Sequence, residues 1–155
     1  MQIRLICVGT RMPRWVEEGF REYAKRMPKE CELILVEIAA GKRNKNANLA
    51  QIRDTEGKAV LSAIGSSDYV VALEVEGRNC STQSLSELLK EWMEGGRNVS
   101  ILVGGPEGLS EACKQKAALH LSLSSLTLPH PLVRILFAEQ LYRAWTILSR
   151  HPYHR

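Results

Sequence analysis

The feature that most constrains this chain is a repeated alternation of short aliphatic runs with longer amphipathic ones. Five runs read as strands: Gln2–Val8, Glu32–Ile38, Tyr69–Val75, Val99–Val103 and Leu121–Leu123. They are rich in Val, Ile and Leu, and several lack a regular polar–apolar alternation. Strands of that kind suit a sheet covered on both faces. Five stretches read as helices: Arg14–Met27, Ala47–Ile64, Gln83–Glu94, Ser110–Ala118 and Leu132–Ser149. Strand followed by helix, over and over, predicts an α/β fold with a largely parallel sheet and helices on both faces. The 155 residues suit one domain spanning 1–155 and are enough to bury a core without staples.

The punctuation between these runs agrees. Asn46 is expected to cap the second helix, and Ser81 or Thr82 the third. Gly95-Gly96 stops the third helix. Pro131 sits where the last helix begins, a position in which its missing N–H costs nothing. No internal repeat, low-complexity stretch or linker interrupts the chain.

Apolar residues make up 45% and charged residues 25%, which places the chain among soluble globular proteins rather than disordered ones. Met1–Gly9 is too short and too soon polar for a secretory signal, and no apolar run approaches the roughly 18 residues of a membrane span. A cytoplasmic location is expected, without a membrane partner. Cys7, Cys31, Cys80 and Cys113 are widely spaced, with no Cys-x-x-Cys pair and no histidine in ligand spacing, so they read as reduced thiols and no metal site is expected. The net charge of +4 permits a polyanionic partner but does not locate one. Lys42, Arg43 and Lys45 crowd the polar segment 41–48, which reads either as a solvated loop or as a phosphate-contacting one.

The common nucleotide and nucleophile signatures are absent. There is no P-loop, no dinucleotide-binding glycine pattern after the first strand, and no Gly-x-Ser-x-Gly elbow. Two other stretches are informative. Val103-Gly104-Gly105-Pro106-Glu107-Gly108-Leu109 follows an apolar strand and precedes a helix. Ligands of open α/β sheets bind at that carboxyl edge, and glycine lets a ligand approach the main chain. Taken alone, the stretch is equally a strand-to-helix turn. Leu121-Ser122-Leu123-Ser124-Ser125-Leu126-Thr127-Leu128-Pro129-His130-Pro131 runs from a strand into a hydroxyl-rich, proline-restricted corner. Its unpaired main chain is suited to reading the edge of an adenine, although the Ser and Thr side chains could equally cap their own backbone.

The last helix carries one anomaly. Phe137, Ala138, Leu141, Tyr142, Trp145 and Leu148 gather on one side of a helical wheel, and Arg134 falls in their midst. Glu139, Arg143 and Thr146 form the other face. A buried arginine is costly unless it is paired or reaches an anion, and one in the first turn could also extend into solvent. The chain closes with Tyr153, His154 and Arg155, groups that suit stacking on and hydrogen bonding to a base, though chain ends are often frayed.

These motifs occur together and in order: Val8-Gly9-Thr10, Ala40-Gly41-Lys42-Arg43, Gly104-Gly105-Pro106-Glu107-Gly108-Leu109, Leu126-Thr127-Leu128-Pro129-His130, Glu139-Gln140-Leu141-Tyr142-Arg143-Ala144 and Tyr153-His154. In that combination, along the whole chain, the sequence resembles the bacterial ribosomal large-subunit pseudouridine-N3 methyltransferases of the SPOUT class. The resemblance implies an α/β knot, in which the C-terminal segment threads a loop, against the general rule of unknotted chains. It implies a homodimer with each site completed near the partner subunit, and S-adenosylmethionine as methyl donor. By position, the donor pocket would comprise Leu73, Gly104, Gly105, Leu123, Ser124, Ser125, Leu126, Thr127 and Leu128. The substrate would be ribosomal RNA in the assembled ribosome, methylated at N3 of a pseudouridine. A knotted methyltransferase with another RNA target, or a non-catalytic RNA- or ribosome-binding module, are the alternatives.

Such a transfer is a positioning task that needs no metal. The acceptor nitrogen must lose its proton to a base, or its anion must be stabilised. His130, Arg134 and His154 are the catalytic candidates. Lys42, Arg43, Lys45, Tyr153, His154 and Arg155 are the candidate RNA contacts. The apolar face of the last helix, with Tyr142 and Trp145, is the expected dimer surface.

Overall fold

The computed structural model describes all 155 residues. Strands and helices alternate through the chain: β1 (Gln2–Val8), α1 (Arg14–Ala24), β2 (Glu32–Ile38), α2 (Leu49–Ala63), β3 (Tyr69–Asn79), α3 (Thr82–Gly95), β4 (Val99–Val103), α4 (Glu111–Lys116), β5 (Leu119–Ser122) and α5 (His130–Leu148). A short 3-10 turn, Pro152–His154, ends the chain. The strands form one sheet in the order β2-β1-β4-β3-β5. Every pairing is parallel.

The register explains why the strands read as continuous aliphatic runs. Ile3, Leu5 and Cys7 of β1 align with Val99, Ile101 and Val103 of β4, and Val71 and Leu73 of β3 align with Ile101 and Val103. That face packs on Phe20 of α1, Leu85, Leu89 and Trp92 of α3, and Phe137 and Leu141 of α5. The opposite face presents Ile6, Val8, Val70, Ala72 and Leu102 to Val60 of α2 and Cys113 of α4. Alternate residues thus point to opposite layers, and both layers are apolar. Three of the four cysteines belong to these interiors and all are free thiols. Burial pushes Cys7 up to about 12 and Cys31 to about 11.

Three local expectations change. Asn48, not Asn46, caps α2, its side chain accepting the Gln51 N–H. Asn46 is instead held in a preceding turn, where its own N–H donates to the Asn44 side chain. β3 runs past Val75 to Asn79, and its pairing with β5 jumps from Leu73 to Arg78, a bulge that takes Glu74–Gly77 out of the ladder. Gly77 sits where a Cβ would meet the Leu121 backbone, so β3 and β5 approach closely there. Finally, α5 is not one-sided. Thr146, expected on the outer face, is fully buried, and so is Ala144. The cause is position: α5 packs on both α1 and α3, and its Thr146 hydroxyl is satisfied by the Arg143 carbonyl at 2.6 Å. Ser81 caps α3 and Gly96, at φ 70°, ends it, as the sequence indicated.

Candidate active site

The carboxyl ends of β3, β4 and β5 surround a cavity of about 760 Å³. Both informative loops reach it. Gly104, Gly105, Pro106 and Gly108 come from the β4–α4 loop, and Leu123, Ser124, Leu126, Thr127, Leu128 and Pro129 from the β5–α5 loop. Leu73 completes the set at the last β3 position paired with β4, where the bulge begins. Of the nine residues placed in a pocket by position, only Ser125 does not line the cavity. That two separate loops wall one cavity beside the bulged end of β3 is consistent with a threaded C-terminal segment.

The glycine-rich loop has this composition for steric reasons. It folds back on itself, with the Gly108 N–H donating to the Gly105 carbonyl at 2.9 Å. A Cβ on Gly104 would lie 2.6 Å from both the Gly108 carbonyl oxygen and the Leu109 nitrogen, which real Cβ atoms do not tolerate. Gly108 adopts φ 78°, a conformation that favours glycine. Gly105 has room by comparison, its nearest neighbours being side chains. The positive φ lies at Gly108 rather than at Gly105.

Charged side chains brace this loop from behind. Arg43 hydrogen bonds to both Glu107, in the loop, and Glu56 of α2. Glu56 also accepts the Gly41 N–H. Hydrogen bonding to Arg43 holds Glu107 below the usual carboxylate range, and the same pair raises Arg43. Arg43 is therefore a clip between the 41–48 segment and the glycine loop, not a free guanidinium awaiting phosphate. Lys42 and Lys45 are exposed.

His130 opens α5 and lines the cavity. Its Nδ1 is buried without a hydrogen-bond partner. Burial first, then the positive charges of Arg134 and Arg43, hold its imidazole below the usual histidine value, against a smaller opposing effect of Glu56. The imidazole is thus neutral at neutral pH.

Arg134 stands one turn later, 1% exposed. Its Nη2 donates to the Gly9 carbonyl at 2.7 Å and its Nη1 to Glu37 at 2.9 Å. It does not extend into solvent, and it does not line the cavity. Its guanidinium latches the first turn of α5 to the ends of β1 and β2. Both of these bonds commit its guanidinium to groups of its own chain.

The tail lies elsewhere. The Tyr153 ring packs on Tyr142 with centroids 4.7 Å apart, and its hydroxyl donates to Glu139 at 3.0 Å. Neither Tyr153, His154 nor Arg155 lines the cavity of its own chain. Glu139 is about 14 Å along the helix from His130 at 1.5 Å per residue, so the tail sits well back from the site on the far part of α5. The fold-back also covers Tyr142, which is only 7% exposed. The large apolar side chains left in water near α5 are Leu132, Leu136 and, on α1, Trp15.

Among the wall residues that the sequence did not point to, three are charged: Glu74, Glu76 and Lys114. The signal was present. Glu74 and Glu76 interrupt an aliphatic strand just before Gly77, and charge is out of place in a strand covered on both faces. No group of three or more His, Cys, Asp or Glu side chains is arranged to hold a metal ion.

Comparison with known proteins agrees with this architecture. Residues 1–154 match the family described as "Predicted SPOUT methyltransferase". The chain is 55% identical, over the full length of both proteins, to Ribosomal RNA large subunit methyltransferase H of Methylococcus capsulatus. It is 56% identical to the protein of the same name from Hahella chejuensis, covering 100% of this chain and 99% of that one. Among solved structures, a probable methylase family protein from Haemophilus influenzae matches with TM-score 0.58 and 11% identity over 99% of this chain and 70% of its own. A probable methyltransferase from Bordetella pertussis matches with TM-score 0.58 and 17% identity over 92% and 93%. At those identities the structural likeness concerns the fold, while the sequence match carries the lineage: this chain belongs to the SPOUT methyltransferase family.

Proposed function

We propose that the protein transfers a methyl group from S-adenosylmethionine to the N3 nitrogen of a pseudouridine in large-subunit ribosomal RNA, in the assembled ribosome. The names of its full-length relatives support the RNA class. The observation that carries the chemistry is a cavity walled by two backbone-rich loops with His130 at its edge. Its volume of about 760 Å³ falls within the range of small-molecule sites. Gly104 and Gly105 allow close approach to main chain. In Leu123–Leu128 the Leu126 N–H and the Ser124 carbonyl are taken by the Ser124 and Ser122 hydroxyls, and the remaining backbone groups of the segment are the ones offered to an adenine. When bound, S-adenosylmethionine supplies a methyl group already activated on a sulfonium, so the protein contributes alignment and proton transfer.

His130, on the cavity wall, is the acceptor proposed for that proton. Its unpaired, neutral imidazole is able to accept the N3 proton of the acceptor base as the nitrogen becomes nucleophilic. Arg134 and Pro129 fix the helix turn that carries it. Lys42 and Lys45 offer exposed charge to phosphate.

The working form is a homodimer. Trp15, Leu132 and Leu136 expose apolar surface on α1 and the cavity end of α5, and a second copy would cover it. A tail remote from its own cavity is then available to the partner's, so that Tyr153, His154 and Arg155 act on the RNA side of the neighbouring site. Light scattering that shows only monomer at micromolar concentration refutes the dimer. For the function, the test is mass mapping of ribosomal RNA from cells with and without the protein. One N3-methylpseudouridine should disappear from the large subunit. An unchanged large-subunit map with a change in transfer RNA would give the enzyme another target, and a protein showing no heat with S-adenosylmethionine would be a binding module.

A further inference from the structure

Glu74 directly follows Leu73 and lies on the cavity wall together with Lys114. It stands where β3 leaves its ladder with β5, and the bulge delivers Glu74, Val75 and Glu76 to the cavity. The two carboxylate oxygens of Glu74 differ. Oε1 meets Nδ1 of His120 at 3.1 Å. Oε2 is buried and has no hydrogen-bond partner. The Lys114 ammonium is 3.8 Å from Oε2, close enough to balance its charge but outside hydrogen-bonding reach. Folded proteins rarely leave a buried carboxylate oxygen without a donor, because the lost hydration is not recovered.

His120 also restricts the carboxylate to one orientation. It sits on β5 opposite Ala72 of β3, so the bond to Glu74 ties two neighbouring strands and fixes where Oε2 stands. The site is thereby preorganised for one incoming donor.

We propose that Glu74 is a recognition residue for the methyl donor, accepting a hydrogen bond from a ribose hydroxyl of its adenosine. The inference rests on the reading of this cavity as the S-adenosylmethionine site. Lys114 decides between the donors that such a ligand carries. The carboxylate already has a cation beside it, so what Oε2 lacks is a hydrogen-bond donor and not a charge. The ligand's own ammonium would be brought close to Lys114, with like-charge repulsion. A ribose offers two adjacent neutral donors and meets no such penalty. Glu76, on the same wall, is exposed and hydrated, and makes no comparable demand.

The test is calorimetric titration of the full-length protein and its Glu74→Gln variant with S-adenosylhomocysteine. The same titrations use its 2′-deoxy form, its 3′-deoxy form and a form lacking the amino group. Glu74→Gln should weaken S-adenosylhomocysteine about tenfold, the usual scale of a hydrogen bond to a charged group. Against one of the two deoxy forms, wild type and variant should bind alike. Should Glu74→Gln disturb the circular dichroism spectrum, Glu74→Asp, which withdraws the carboxylate by one methylene, must give the same pattern. Unchanged affinity for S-adenosylhomocysteine overturns the proposal. So does an equal loss against every analogue, which would mean that Glu74 only shapes the wall. Equal binding restored only by removing the amino group overturns the hydroxyl assignment in favour of the ammonium. If wild type fails to bind S-adenosylhomocysteine at all, the donor-site reading falls, and this inference with it.

Discussion

Arg134→Ala should be among the most damaging single substitutions outside the aliphatic core. The side chain is 1% exposed and ranks among the largest fully buried groups. Its removal has three consequences. A large cavity opens, a type of truncation that costs about 2–5 kcal/mol. The Gly9 carbonyl loses its donor at 2.7 Å, and a buried acceptor left unpaired costs about 1–3 kcal/mol. Glu37 also loses its partner, but its side chain is 33% exposed, so water replaces much of that bond. Partial collapse of the site reduces the total, and about 4 kcal/mol is the expected loss. Against a typical stability of about 5–15 kcal/mol this leaves a folded but fragile protein. With a urea slope of about 2 kcal/mol/M, the midpoint should fall by about 2 M. Glu37→Gln is the contrast, because it keeps the arginine, its packing and the Gly9 bond, and should cost only about 1 kcal/mol. Equilibrium urea unfolding followed by circular dichroism measures both. A shift below about 0.5 M for Arg134→Ala, or a larger shift for Glu37→Gln than for Arg134→Ala, refutes the view that the latch is anchored by burial.

Other outcomes follow from the same geometry. Gly104→Ala should abolish S-adenosylmethionine binding in calorimetry while Gly105→Ala binds close to wild type, because the first Cβ meets backbone and the second meets side chains; the reverse order would misplace the loop. Burial raises the Asp68 carboxyl, but hydrogen bonds from Ser100, Arg4 and the Gly65 N–H lower it more, so it lies below its usual value. The stability it contributes is present above the unfolded value of about 3.9 and is lost as pH falls through the lower folded value. Asp68→Asn should therefore flatten the fall in urea midpoint below about pH 4, and an identical acid slope would remove Asp68 from that account. Replacing Lys42 and Lys45 together by alanine should flatten the salt dependence of ribosome binding by about one unit of slope for each phosphate no longer neutralised, and an unchanged slope would return the segment to a solvated turn. Deleting the residues after Pro152 should leave donor affinity unchanged and slow single-turnover methyl transfer by about tenfold or more, and transfer at the wild-type rate would show that the tail has no part in the reaction.

The layers of this fold were legible because each strand and helix carries its own periodicity, and a parallel sheet with helices on both faces follows from their order. The pocket was legible in part, since glycine and proline mark backbone that must be exposed or sharply turned. What local pattern does not carry is contact across the sheet. A helical wheel assumes one buried side, so it placed Thr146 in water, whereas α5 is flanked by α1 and α3 and buries it. Arg134 announced itself as an anomaly, yet its partner Glu37 lies 97 residues away, and Gly9 lies 125 away. Those three meet because β1 and β2 are neighbours, end at the same edge, and receive the start of α5 there. The same reason hid Glu74. Its unsatisfied oxygen becomes visible only when β5 brings His120 against β3, 46 residues on in sequence. Buried charges in this protein are thus recognised one by one as departures from an aliphatic pattern. Their chemistry is set by the strand order β2-β1-β4-β3-β5, which decides which departures come to face one another.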